Sequence, residues 1–311
     1  MDTQIIMIKD KIISVMLDKG TNFRCDGSPF FLYPEISSFG VITEPFSFQS
    51  RDNTLYGDIA YKDKKEARGV LIFLAGFGAG RKAYSTEISN FAKAGFIVFS
   101  FDGTGCMQSQ GKNIKGLGQI NVDIKNFFKY FKTLDSYKNF DIFVVGHSWG
   151  GYGALSTLNC AYNIKKVVSI SGYFSNVDQY IKQAPALQKY KKELTRVLIN
   201  KFGDESAIDC FETLKTTNIP TLYVSGTNDN VIDFSSHFNK LKNEIRNPNV
   251  HLFESKDRYH QPYWSVESQN YFLSISDAFN LNHSSNIKID YSKLFCDDND
   301  VLQEIINFLQ E

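Results

Sequence analysis

No two cysteines of this 311-residue chain stand as CxxC or share a metal-ligand spacing with histidine; Cys25, Cys106, Cys160, Cys210 and Cys296 are scattered and odd in number. That pattern excludes a disulfide framework and a zinc finger, and it reads as free thiols in a reducing, cytoplasmic compartment. An excess of one charge is also missing, since Lys plus Arg and Asp plus Glu each total 34. Phosphate recognition needs a basic excess or stripe, so no nucleic-acid partner is expected, and small neutral molecules are. No apolar run reaches the roughly 20 residues that span a bilayer. Residues 1–20 hold Ile5, Ile8, Ile12, Ile13, Met16 and Leu17, interrupted by Lys9, Asp10, Lys11 and Asp18. Without an unbroken apolar core or a small-residue cleavage site no secretory signal is expected here; the spacing suits an amphipathic helix packed on the domain. It also lacks the cationic face of helices that lie on membranes.

From about Phe46 onward, short apolar strands alternate with helical patterns. The strands are expected at Phe46 to Gln49, Leu55 to Tyr61, Val70 to Ala75, Phe96 to Phe101, Asp141 to Val145, Lys166 to Ile170, Thr221 to Ser225 and Asn249 to Phe253. The first two, joined by Arg51-Asp52-Asn53, read as an antiparallel hairpin. Helices are expected near Ala83 to Ala94, Asn121 to Leu134, Trp149 to Leu158, Phe234 to Ile245 and Val301 to Leu309. The alternation predicts an α/β fold, an eight-stranded mostly parallel sheet with helices on both faces. Residues 1–45 form an N-terminal helical extension to a domain at 46–311. Residues 172–219, too long for an ordinary loop, read as a small helical cap insertion over the strand ends. Residues 264–298, rich in Ser, Asn and Asp, fit no element.

The run Gly146-His147-Ser148-Trp149-Gly150 places a serine in GxSxG between an apolar strand and an apolar helix. A turn this tight strains the serine backbone and leaves no room for neighbouring side chains, which accounts for the flanking glycines. Ser148 is therefore the candidate nucleophile. A serine hydroxyl needs a base, and the base needs an acid to orient it. Of the five histidines, His147 lies within the turn with its side chain directed away, His251 in a strand and His237 on a helix. His260 follows the last strand, at the sheet edge where the turn lies; it is the candidate base, with His283 the runner-up. Asp229, in the turn Gly226 to Val231 after the preceding strand, is the candidate acid, and Asp233 the alternative. An oxyanion needs two N–H donors, each worth about 3 to 4 kcal/mol. Trp149 and Phe77, in the glycine-rich loop Gly76-Phe77-Gly78-Ala79-Gly80, are the expected donors.

These residues resemble the α/β-hydrolase family over about 46–262 and the last helix. Ala75-Gly76-Phe77-Gly78 is similar to the family's HGxG oxyanion loop, Gly146 to Gly150 to its elbow, and Asp102-Gly103-Thr104-Gly105 with Ser109 and Gly111 to its loop after the fourth strand. The resemblance implies a triad of Ser148, Asp229 and His260. Two positions depart from it: Ala75 stands where histidine is frequent, and Met107 where glycine is, narrowing the site. Among subfamilies the chain is most similar to single-domain esterases with a small helical insert, feruloyl and cinnamoyl esterases included.

The expected activity is hydrolysis of a small-molecule carboxylic ester through an acyl-enzyme, with no metal or organic cofactor. A thioesterase, acyltransferase or peptidase would use the same triad, and a hydrolase-like binding protein would hold a ligand without turnover. A serine at 148 argues against haloalkane and epoxide hydrolases, which need aspartate there. The insertion is expected to wall the pocket through Tyr173 and Phe174, with Tyr180, Trp149 and Trp264 adding aromatic surface.

Overall fold

The computed structural model describes residues 3–27, 32–78, 80–282, 288–294 and 296–311. Among them eight strands form one sheet: β1 (Ile42–Ser50), β2 (Asn53–Tyr61), β3 (Gly69–Leu74), β4 (Phe96–Phe101), β5 (Ile142–His147), β6 (Ile164–Ile170), β7 (Thr221–Gly226) and β8 (Val250–Ser255). Their spatial order is β1-β2-β4-β3-β5-β6-β7-β8. The β1–β2 hairpin is antiparallel, β2 runs antiparallel to β4, and all later neighbours are parallel. All eight expected strands are present. In β3, β4 and β7 every position is buried, because helices cover both faces and an unbroken apolar run can be accommodated. At the edge, β1 instead alternates and turns Phe46, Phe48 and Ser50 inward.

The helices are α1 (Thr3–Gly20), α2 (Ser85–Lys93), α3 (Gln119–Phe131), α4 (Trp149–Ser156), α5 (Asn176–Gln183), α6 (Lys191–Phe202), α7 (Cys210–Leu214), α8 (Lys240–Glu244), α9 (Val266–Asn282) and α10 (Asn299–Gln310). One face of the sheet packs on α3 and α4 through Phe127, Phe128, Tyr152 and Leu155. The other packs on α2 and α10 through Ile88, Phe91, Leu302 and Ile305. A third cluster joins Ile13 and Leu17 of α1 to Leu194, Val197 and Leu198 of α6. Asp10 also pairs with Arg196 at 2.6 Å, so the N-terminal helix packs on the insertion. It does so through part of its apolar surface, since Met7, Ile8, Ile12 and Met16 are exposed. No described helix is long and apolar enough to cross a membrane.

Helix α9 lies in the segment the sequence pattern left without an element. Its inward residues include Ser268, Gln269 and Ile275, all buried, so polar side chains occupy part of the face where apolar periodicity is sought. Gln269 has a specific task there. Its Oε1 accepts the Tyr259 N–H at 2.9 Å, and its Nε2 donates to the Trp264 carbonyl at 2.9 Å, clamping both ends of the loop that follows β8.

Behind that loop, buried Glu87 of α2 lies near the partly buried Asp297; Trp264 donates to Glu87 and Asn90 to Asp297. Burial pushes the Glu87 carboxyl up to about 7; burial and then the charge of Glu87 push Asp297 up to about 9. Folded-state values raised above the unfolded ones mean that the folded chain holds more protons, so the pair's contribution is lost as pH rises from about 4 to about 9. Glu87→Gln keeps the acceptor for Trp264 and removes one ionisation. Its Tm is expected to exceed that of the parent by about 2 to 4 °C at pH 8.5 and to converge with it toward pH 4.5. Parallel Tm-versus-pH curves would contradict this account.

Candidate active site

At the end of β5 the chain turns into α4 with Ser148 at φ 56°, ψ −115°, a left-handed backbone that L-residues rarely adopt. The turn is held by the Ser148 N–H, which donates to the Ile170 carbonyl on β6 at 2.8 Å. A Cβ at Gly146 would stand 2.0 Å from the Gly150 carbonyl oxygen, and one at Gly150 would stand 1.9 Å from that of Leu74. Only glycine fits either place, and the packing lifts the Ser148 hydroxyl above the sheet edge.

Asp229 follows β7 and His260 follows β8. The Ser148 Oγ lies 2.9 Å from His260 Nε2, and His260 Nδ1 lies 2.9 and 3.1 Å from the two carboxylate oxygens of Asp229. Asp229 Oδ1 also accepts the N–H groups of Val231 and Ile232, each at 2.9 Å. Burial alone would raise this carboxyl. The hydrogen bond and charge of His260, with the two backbone donors, overcome it and hold the group below the usual carboxylate range. It is therefore ionised at neutral pH. The loop bearing His260 passes close over Gly226, where a Cβ would meet the Arg258 and Tyr259 carbonyls at 2.3 Å. An ion pair from Arg258 to Asp298 fixes it further.

The other candidates lie elsewhere. Asp233 accepts the Ser236 N–H at 2.7 Å and caps its own helical turn. His237 stacks on Phe174, and His251 is an exposed β8 residue beside Phe308. His283 lies outside the described residues. His147 is not directed away from the site as its place in the turn suggested: its Nε2 is 2.8 Å from the His260 carbonyl oxygen.

A family model for serine aminopeptidases, S33, matches residues 65–206. A Mycoplasma genitalium protein provisionally named esterase/lipase 2 is 26% identical over 234 residues, 63% of this chain and 84% of that protein. Among solved structures, the Pyrococcus furiosus esterase Pf2001 is similar with a TM-score of 0.59 at 17% identity, covering 92% of this chain and 97% of that one. Est1E from Butyrivibrio proteoclasticus, with ferulic acid bound, gives a TM-score of 0.55 at 16% identity over 76% of this chain and 98% of that one. The chain has the α/β-hydrolase fold.

Within this fold Trp149 opens α4, where a backbone N–H has no intrahelical acceptor. Phe77 stands opposite on the loop after β3, its ring 5.4 Å from that of Trp149 and 5.9 Å from that of Phe23. Ala79 of that loop is outside the described residues. Met107 has φ 46°, a backbone position that favours glycine, and its side chain crowds Gly80.

Tyr173 and Phe174 do not meet the site. Tyr173 is buried, stacked on Tyr152 at 4.8 Å with its hydroxyl donating to Asn176, and Phe174 packs on Phe211 and Tyr223. The insertion spends its aromatics on its own attachment to the sheet. Tyr180 likewise accepts the Leu117 N–H. A cavity of about 380 Å³ instead opens beside Phe77 and Gln261, walled by Phe23, Tyr33, Tyr263, Trp264 and Phe272. Part of that wall is the N-terminal segment, tied down by the Cys25 N–H to the Gly105 carbonyl at 2.9 Å and the Gly27 N–H to that of Gly78 at 2.8 Å. Nothing in the local sequence marks this: residues 23–27 become a wall only through long-range pairing.

Proposed function

We propose that this α/β-hydrolase is a serine esterase that cleaves a carboxylic ester through an acyl-enzyme. The single observation that carries the reading is the unbroken hydrogen-bonded line from Asp229 through His260 to Ser148. Ser148 Oγ attacks the ester carbonyl while His260 Nε2 takes its proton. Asp229, ionised and buried, accepts from Nδ1, fixes the tautomer and stabilises the imidazolium as it forms. The N–H groups of Phe77 and Trp149 receive the developing oxyanion. His260 returns the proton to the departing alcohol, and water repeats the sequence on the acyl group.

The aromatic walls of the cavity beside Phe77 favour an apolar or aryl group on the ester. The family description raises aminopeptidase action as the second reading. Such an enzyme needs a free carboxylate to hold the substrate ammonium. Among the described residues walling the cavity the one carboxylate is Asp26, and Arg24 engages both its oxygens at 2.8 and 2.9 Å. The charge balance there favours a neutral ester.

The test is a panel of p-nitrophenyl esters, an acyl-CoA thioester and aminoacyl p-nitroanilides. The esters are expected to give the highest kcat/KM; a higher value on an aminoacyl anilide would reverse the reading. Within the ester set, Phe23→Ala is expected to lower kcat/KM for p-nitrophenyl phenylacetate by about tenfold. The acetyl ester, too short to span the cavity, is expected to change by less than about twofold. Equal losses on both esters would remove Phe23 from the acyl site.

A further inference from the structure

We propose that Tyr84 and His147 form a neutral, one-way hydrogen-bond brace that locks the oxyanion loop and the base-bearing loop to each other across the nucleophile turn. This rests on the esterase reading, and it assigns positioning roles to two residues that supply no reacting atom, Tyr84 from the wall of the cavity beside Phe77 and His147 from behind the nucleophile turn.

The brace has three links. The Gly76 N–H donates to the Tyr84 hydroxyl at 2.9 Å, that hydroxyl lies 2.8 Å from His147 Nδ1, and His147 Nε2 lies 2.8 Å from the His260 carbonyl oxygen. Its direction is forced at both ends, because an amide N–H only donates and a carbonyl only accepts. His147 therefore carries its proton on Nε2 and presents a bare Nδ1, and the Tyr84 hydroxyl accepts from Gly76 while donating to the ring. A protonated His147 would donate at Nδ1 and no longer accept the Tyr84 hydroxyl proton, and an ionised Tyr84 would have no proton to give. The surroundings agree with that state. Both residues are buried. Burial, and then the nearby His260 ring, hold His147 down to about 3, and burial pushes the Tyr84 phenol well up.

The ends of the brace are the parts that must stay in register during catalysis. Gly76 immediately precedes Phe77, whose N–H is assigned to the oxyanion. The carbonyl at the other end belongs to His260 itself, and the ring between them belongs to the residue before Ser148. The contact also dictates sequence: a Cβ at Gly76 would lie 2.5 Å from the Tyr84 hydroxyl and 3.2 Å from His147 Nδ1. A misplacement of about 1 Å between such groups lowers rates by as much as 10²-fold.

The test compares Tyr84→Phe, His147→Leu, the double variant and His147→Gln, whose amide offers an acceptor and a donor at the spacing of the imidazole nitrogens. With p-nitrophenyl acetate, Tyr84→Phe and His147→Leu are each expected to lower kcat by about 10- to 100-fold with little change in KM. Because they cut the same line, the double variant is expected to lose no more than either single one, and His147→Gln to recover most of the rate. Additive losses in folded variants, or parent-like kcat in Tyr84→Phe, would overturn the brace. A readout independent of turnover separates this from failure of the esterase reading. In ¹⁵N spectra of the Ser148→Ala protein, the His147 ring is expected as the Nε2–H tautomer with a slowly exchanging proton, and Tyr84→Phe should shift Nδ1 and speed that exchange. An Nδ1–H tautomer would overturn the brace whatever the enzyme hydrolyses.

Discussion

Ser148→Ala is expected to lower kcat/KM on p-nitrophenyl acetate by roughly 10⁴- to 10⁶-fold while leaving the fold intact. Among the described residues the hydroxyl is the one group hydrogen-bonded to His260 Nε2, at 2.9 Å. The backbone adds a second expectation. Position 148 has φ 56°, which alanine adopts no more readily than serine and glycine adopts freely. Ser148→Gly should be as inactive as Ser148→Ala and more stable by about 1 kcal/mol in chemical unfolding. A Ser148→Ala protein retaining more than a tenth of the parent rate would place the nucleophile elsewhere.

Asp229→Asn is expected to lower kcat by about 10⁴-fold with substrate binding largely kept. The reason is a proton placement that the local hydrogen bonds dictate. Oδ1 accepts the N–H groups of Val231 and Ile232, so the amide oxygen must stay there. The NH₂ then falls at the Oδ2 position, 2.9 Å from His260 Nδ1. An NH₂ can only donate, so Nδ1 loses its proton and Nε2 gains one, and the face toward Ser148 no longer accepts. Asp233→Asn, by contrast, alters a cap of its own helical turn and should leave kcat within about twofold of the parent. Similar losses for Asp229→Asn and Asp233→Asn would contradict this assignment of the acid.

Much of the fold was legible because its signals are local. Strands β3 to β8 announce themselves as short apolar runs between turn residues, and the Gly146 to Gly150 turn carries its steric demand in its own glycines. The stretch 172–219 reads in the sequence as helical and too long for a loop, and α5 to α7 occupy it. What was hidden depends on pairing over distance. Helix α9 escaped notice because Ser268 and Gln269 occupy its buried face, one as packing and the other as the clamp on the His260 loop. The reading of Tyr173 and Phe174 as substrate contacts followed from aromatic content alone. Burial sent those rings into the core, whereas Phe23, remote in sequence, reached the cavity through β-type pairing with the loop after β4. His147 stands beside the candidate nucleophile, yet adjacency in a turn fixes only where a side chain starts.

The central claim is that Ser148 is the residue that becomes acylated, and the most direct measurement is mass spectrometry of the chain after reaction with a fluorophosphonate probe. The account predicts one adduct per chain on the peptide containing Ser148, formed more slowly in Asp229→Asn and absent from Ser148→Ala. An adduct that survives Ser148→Ala, or a parent protein that hydrolyses esters without labelling at Ser148, would contradict it.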